Sequence, residues 1–385
     1  MTARKRIRMT RIATNNLQEP KTLILGLDIA TKKHEDIQSY FDEFLNLVKT
    51  HGSCADHVLF LKLRTIDNAY LLTTGKLEDV KKFCQEHAIE RVIISESLSP
   101  QQERNASDYL ECTIIDRTRL ILEIFEKAAH SAEGKTQVAI ALLSHEKTRL
   151  AGKGVTLSQQ LGVAGARGGP GETLKERERR HIELLINKLK SQLKKIETTR
   201  QTQRKQRLSS SLPLISLIGY TNSGKSTILN TLTKSNVLAQ DKLFATLDTT
   251  TRELFIGSEK VALLSDTVGF IQELPTRLID AFKSTLAELS YASLLIHVVD
   301  ISSHSWQQHI RTVQELLDDL SLTEKPIIYA FNKCDKIELT PLIEKMIERY
   351  QPHVVIDARS KSGLQPLIDL LLQWTSSKKT EFTST

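Results

Sequence analysis

A chain of 385 residues, 40% of them apolar, is too long for one hydrophobic core and long enough to build two or three. No apolar run approaches bilayer length, which argues for a cytoplasmic protein, and the four cysteines (Cys54, Cys84, Cys112, Cys334) stand singly, without zinc-site or disulfide spacing. The net charge of +7 is uneven, −4 over residues 212–375 and +10 over residues 1–211, and such asymmetry points to a polyanionic partner, nucleic acid or an anionic membrane face.

Residues 1–20 are basic and unpatterned and read as a mobile arm. Over residues 21–125 the apolar runs TLILGLDI, HVLFLKL, RVIISES and CTIID alternate with helical patterns, the signature of a small parallel α/β domain. TGK at 74–76 opens a helix but lacks the rest of a phosphate-loop pattern. Residues 126–208 change period. Ile182, Ile186, Leu189, Leu193 and Ile196 recur at alternating spacings of four and three, one narrow seam that needs one partner helix. The expected partner is Glu123–Arg149, with Ile124, Phe125, Ala128, Val138, Ala141 and Leu142 available to face it. Between them lies GARGGPGE, residues 165–172, without the preceding strand and following lysine that a phosphate loop requires. It reads as the glycine-rich tip of an antiparallel helical hairpin, far from either globular domain. Thr173–Arg207 carries 12 basic against 4 acidic residues, so the hairpin is shaped and charged to enter a narrow polyanionic space. Arg167 offers a planar cation there, and Gly168 and Gly169 remove bulk around it. Residues 212–375 return to strand and helix, through LPLISLIG, KVALLSD, SLLIHVVD, KPIIYAFN and HVVIDA, a second α/β domain before a short tail, 376–385.

The second domain carries the chemistry. An apolar strand runs into GYTNSGKST, so Gly219, Tyr220, Thr221, Asn222, Ser223, Gly224, Lys225, Ser226 and Thr227 form a G-x-x-x-x-G-K-S phosphate loop. Its backbone N–H groups wrap phosphate oxygens, Lys225 neutralises β/γ charge and Ser226 ligates Mg²⁺. In DTVGF, Asp266 holds Mg²⁺ through water, Thr267 and Val268 follow, and the Gly269 N–H approaches the γ-phosphate. Upstream, Thr246, Thr249, Thr250 and Thr251 are candidates for the hydroxyl that completes the metal shell. NKCD, residues 332–335, follows an apolar strand. Asp335 there accepts two hydrogen bonds from guanine, a face adenine lacks, with Asn332 and Lys333 bracing the pocket. DAR, Asp357, Ala358 and Arg359, is placed to cap guanine O6 by backbone. GTP and GDP are therefore the expected ligands, with Lys225, Gly269 and one of the candidate threonines the groups that act on the reacting phosphate.

TTGKLEDV, LSPQQERN, IIDRTRLILEIF and GARGGPGET, together with GYTNSGKST, FATLDTTTR, DTVGFIQELP and NKCD, resemble the HflX family, GTPases of the translation-factor-related class, over about Leu72–Thr375. The resemblance implies an α/β amino-terminal domain, a helical hairpin and a P-loop GTPase domain with a mainly parallel sheet. It also implies a partner, the large ribosomal subunit and its rRNA, with the hairpin loop reaching the peptidyl transferase region and stalled or idle ribosomes being split under stress. The family's switch threonine falls on Thr250. Thr249 stands where proline is usual, Asp357 where serine is usual, and the tip has one glycine more between Arg167 and Pro170 than the family pattern. Many GTPases place a water-orienting glutamine after the DxxG glycine; here it is Phe270, so slow intrinsic hydrolysis and outside help are expected. Asn222 is a candidate to hold K⁺ against the phosphates. A monomer is expected. The alternative function is a GTP-gated rRNA-binding factor for large-subunit assembly.

Overall fold

The computed structural model describes residues 20–32, 36–150, 174–208, 212–233, 243–244, 250–273 and 288–383. Strand β1 (Thr22–Ile29) is apolar nearly throughout because it lies inside a parallel sheet, and Leu23, Ile24, Leu25 and Leu27 are fully buried. Helix α1 (Ile37–His51), β2 (His57–Leu63), α2 (Thr74–His87), β3 (Arg91–Ile94), α3 (Pro100–Leu110), β4 (Thr113–Ile115) and α4 (Arg117–Ala128) follow. The four strands are parallel in the order β2-β1-β3-β4. Polar residues start the helices. Asp36 accepts the Ser39 N–H, Ser99 and Gln102 form a reciprocal capping box behind Pro100, and Asp116 accepts the Arg119 N–H at 2.8 Å. TGK at 74–76 is the first turn of α2.

Two helices follow, α5 (Ala132–Leu150) and α6 (Leu174–Leu208), and they pack against each other. The expected single helix over Glu123–Arg149 is thus broken. Ser131 interrupts it, its hydroxyl accepting the Gly134 N–H at 2.9 Å to begin a new helix. The break redirects the packing. Ile124, Phe125, Val138 and Ala141 enter the core between the two sheets, and Ile182 and Ile186 of the seam meet Ile140, Leu143 and Leu150 instead. The end of α5 also departs from expectation, because Arg149 bonds Asp116 and the Leu98 carbonyl and is tied to the amino-terminal domain. The root of the hairpin loop is therefore beside that domain and not remote from it. GARGGPGE itself, with Arg167, Gly168 and Gly169, lies outside the described residues.

Beyond the hairpin come β5 (Leu214–Gly219), α7 (Lys225–Thr233), β6 (Thr250–Ile256), β7 (Glu259–Asp266), β8 (Leu294–Asp300), α8 (Trp306–Asp319), β9 (Ile327–Asn332), α9 (Pro341–Ile347), β10 (His353–Val355) and α10 (Gln365–Thr383). The sheet order is β10-β9-β8-β5-β7-β6, parallel except for β6, which runs antiparallel along the edge. Strand β6 was not among the expected strands: TTRELFI is largely polar, and only Leu254 is buried.

The two α/β units share apolar contacts. Phe44, Leu47, Ile124 and Phe125 lie in one continuous buried cluster with Tyr220, Phe244, Val268, Phe270 and Ile271. The Phe125 and Phe244 rings meet edge to face, centroids 4.4 Å apart. Phe125→Ala is expected to cost about 3–5 kcal/mol, as deletion of a fully buried ring does. The tryptophan-detected urea transition should shift although Trp306 and Trp374, the two tryptophans, both lie in the second unit; an unmoved transition would show that the units unfold independently.

Candidate nucleotide site

The phosphate loop leaves β5 at its carboxyl end and enters α7, next to β8 in the middle of the sheet, where open α/β sheets bind ligands. Gly219 (φ 148°) and Gly224 (φ 102°) adopt conformations that L side chains rarely reach. A Cβ on Gly219 would lie 2.3 Å from the Val298 carbonyl oxygen, and one on Gly224 2.2 Å from Asn332 Nδ2. Lys225 Nζ donates to the carbonyls of Gly219 and Tyr220 at 3.1 and 2.8 Å. Burial lowers its pKa to about 8, opposed by the Asp266 charge. The buried hydroxyls of Thr221 and Ser223 have no hydrogen-bond partner among the described residues. A buried cation beside two such hydroxyls fits an oxyanion ligand.

Ser226 Oγ donates to Asp266 Oδ2 at 2.6 Å, and Thr250 lies across from Asp266 in the β6–β7 register. Hydroxyl and carboxylate oxygens in this arrangement fit Mg²⁺, which Ser226, Asp266 and Thr250 would hold. Such an ion neutralises charge on the β- and γ-phosphate oxygens when bound. Thr251 lies opposite Ser265, while Thr246 and Thr249 are outside the described residues. Gly269 packs directly on the loop: a Cβ there would lie 2.8 Å from Thr221 Cα and 3.1 Å from Lys225 Nζ. Phe270 is zipped to the same loop, its N–H bonding the Gly219 carbonyl (3.2 Å) and its carbonyl accepting the Thr221 N–H (2.7 Å). Its ring is buried. Thr267 Oγ1 donates to the Leu217 carbonyl and Val268 faces the shared core, so both reach the site through backbone alone.

On the base side, Asn332 ties two loops together. Its Nδ2 donates to the Ser223 carbonyl at 2.8 Å and its Oδ1 accepts the Ala358 N–H at 3.0 Å. Lys333, in the left-handed region at φ 65°, spans from the Asn222 carbonyl (2.8 Å) to Asp300 Oδ2 (2.6 Å). Asp335 is exposed, 3.4 Å from Arg359 Nη1, and Asp357 accepts the Arg359 N–H. The Ala358 N–H, expected at guanine O6, is held by Asn332, so capping by that amide requires it to leave this acceptor. Asn222 is exposed with φ 59°.

Tyr220 departs from the rest of the loop. Its carbonyl serves Lys225, but its side chain stacks on His309 (centroids 3.8 Å apart) and reaches into the contact with α1, where its hydroxyl meets Glu43. Burial raises the phenol pKa well above 10 and lowers that of His309 to about 4, so two neutral rings stack. Asp300 and Glu43 escape sequence reasoning because no local motif marks them, and Arg117 lies in IIDRTRLILEIF, which carries the family resemblance but gives the residue no role; each acts on the site through another residue.

Asn332→Ala is expected to lower stability by about 2–3 kcal/mol, since two buried partners lose their bonds, and to weaken GDP binding. Asp335→Asn should leave stability within about 0.5 kcal/mol, as an exposed substitution does, yet weaken GDP at least about a hundredfold. Denaturation and fluorescent-GDP titration of both variants separate brace from reader; equal destabilisation would refute the assignment.

Three family models tile the chain. One described as GTP-binding GTPase N-terminal matches residues 38–126, a GTP-binding GTPase Middle Region matches 128–207, and a 50S ribosome-binding GTPase matches 214–333. A GTPase HflX from Caldanaerobacter subterraneus subsp. tengcongensis is 41% identical over 330 residues, 86% of this chain and 76% of its own. GTPase HflX from Escherichia coli strain K12 is 37% identical over 353 residues, 91% and 82% respectively. The crystal structure of SsGBP with GDP is 26% identical, covers 93% of this chain and 99% of its own, and superposes with a TM-score of 0.52. A P-loop GTPase domain with these relatives is a GTP hydrolase, and the chain belongs to the HflX family of GTPases.

Proposed function

We propose that this GTPase binds the large ribosomal subunit in the cytoplasm, carries the GARGGPGE loop toward the peptidyl transferase region, and dissociates stalled or idle ribosomes. The observation that carries this reading is the hairpin. Helix α6 packs one side on α5 through Ile182 and Ile186 and leaves Arg177, Arg179, Arg180, Lys188, Lys190, Lys194 and Lys195 exposed. A basic rod of this kind suits an RNA backbone. The match of residues 214–333 to a 50S ribosome-binding GTPase supports the same partner. No helix among the described residues is long and apolar enough to cross a membrane.

In this reading the loop amides and Lys225 hold the β- and γ-phosphates, Ser226, Thr250 and Asp266 hold Mg²⁺, and Gly269 reports the γ-phosphate to the switch. Phe270 has no group with which to orient water, so the ribosome supplies or orders one.

Purified 70S ribosomes incubated with the protein and GTP should resolve into subunits on a sucrose gradient, with Arg167→Ala losing most of that activity while GDP affinity stays within twofold. Binding that leaves ribosomes intact would favour the assembly factor, and absence of co-sedimentation with large subunits would overturn both readings. The association should weaken steeply with salt as counterions return to the phosphates.

Asn222 makes the ion a second variable. Turnover should be several-fold faster in potassium than in sodium at equal ionic strength, and Asn222→Ala should abolish the difference. Indifference of the unmodified protein to the ion removes the potassium site.

A further inference from the structure

Tyr220 of the phosphate loop and Gln272 of the switch are joined to the amino-terminal domain by a closed ring of hydrogen bonds. The Gln272 N–H donates to the Tyr220 hydroxyl at 2.8 Å, and that hydroxyl donates to Glu43 Oε2. The other oxygen, Glu43 Oε1, accepts Arg117 Nη2, and the same Nη2 donates to the Gln272 carbonyl at 3.1 Å. Both backbone polar groups of Gln272 are thereby fixed, three residues beyond Gly269. Arg117 is fully buried, with its guanidinium 4.8 Å from the centre of the Tyr40 ring.

Arg117 is also the first residue of α4, and the residue before it serves the end of α5. Asp116, 1% exposed, caps α4 and accepts Arg149 Nη2 at 2.8 Å through Oδ2, which also takes the Leu98 N–H at 3.0 Å. Arg149 is paired with Glu103 as well, and His145 Nε2 lies 4.0 Å from Asp116 Oδ1. Arg149 is the penultimate residue of α5, immediately before the segment 151–173 that contains GARGGPGE. Two adjacent buried residues on one rigid helical turn thus hold the root of the hairpin loop on one side and the switch on the other.

We infer that Arg117 is a positioning residue for GTP hydrolysis and that the Asp116–Arg117 turn couples the hairpin-loop root to the switch, restraining Gly269 against Lys225 until the hairpin is engaged. The direction follows from the packing. Gly269 lies against the Lys225 ammonium and Phe270 is zipped to the loop, so a γ-phosphate that Lys225 is to bind must displace the switch, and the ring opposes that displacement. Loosening either end of the turn speeds basal turnover. The coupling stands on the GTPase activity alone and needs no ribosome, so its failure is separable from failure of the ribosomal reading.

The test is a double-mutant cycle on the full chain without ribosomes. Removing Arg117 or Glu43 breaks the ring's own ion pair and endangers folding, so the variants are Tyr220→Phe, which deletes one hydroxyl, and Arg149→Met, which does not touch the switch and leaves buried Asp116 the Leu98 and Arg119 N–H groups. Each should raise kcat for GTP at least about threefold with the Kd for GDP within twofold, and the double variant should not exceed the larger single effect. Hydrogen exchange should show the Gln272 amide losing protection in Arg149→Met, a change that a local packing role for Arg149 does not produce. Unchanged or reduced kcat, multiplicative effects in the double variant, or an unaltered Gln272 amide would each overturn the inference. If Arg149→Met is misfolded by circular dichroism, Arg149→Lys, which keeps the charge and loses the forked geometry, carries the same expectations.

Discussion

Arg117 carries a full charge at a position that solvent does not reach, and the arrangement of the two α/β units follows from what that charge requires. A guanidinium in a protein interior costs several kcal/mol unless an anion and further acceptors surround it. The amino-terminal unit supplies Glu43 and the Tyr40 ring; the GTPase unit supplies the Gln272 carbonyl, and its Tyr220 hydroxyl takes the second oxygen of Glu43. Neither unit alone supplies both acceptors of its Nη2, and its buried Nε and Nη1 have no hydrogen-bond partner among the described residues. The apolar surround of Phe125, Phe244 and Phe270 provides most of the favourable burial, while the polar ring admits only one relative placement of the surfaces. Lys32 extends the contact toward solvent, bridging Glu96 of its own unit and Glu273 of the switch.

The motifs of the candidate nucleotide site were legible in the sequence because each of them is local. A phosphate loop is one strand, one turn and one helix, so GYTNSGKS specifies its own geometry, and NKCD needs only a strand end. The four strands of the first sheet were legible for the same reason, each built around a short apolar run. What was not legible depends on partners distant in the chain. Strand β6 escaped because an edge strand with one buried residue carries no alternation. The hairpin partner was misplaced because Ile124 and Phe125 look like seam residues until Ser131 breaks the helix and turns them toward another core. Tyr220 was read with its loop because position in the motif fixes its backbone and says nothing of where its ring goes.

The site is braced more heavily on the base side than on the catalytic side. Asn332 and Lys333 fasten the phosphate loop to the base loops and to β8 through bonds that lie within one unit. The Gly269–Gln272 segment is instead held by contacts to the other unit and to the loop backbone. The base-side loops and the Gly269–Gln272 segment are thus braced by different contacts, the first within one unit and the second partly across the contact between units.

Helix α6 is 35 residues long against 19 for α5, about 52 Å against about 28 Å. The excess length carries the rod past its partner, and only residues 209–213 separate it from β5, the strand that ends in Gly219. The rod therefore joins two distant parts of the chain in one helix: its first part lies along α5 and follows the segment that contains Arg167, and its last residue is separated by five residues from the strand that bears the phosphate loop.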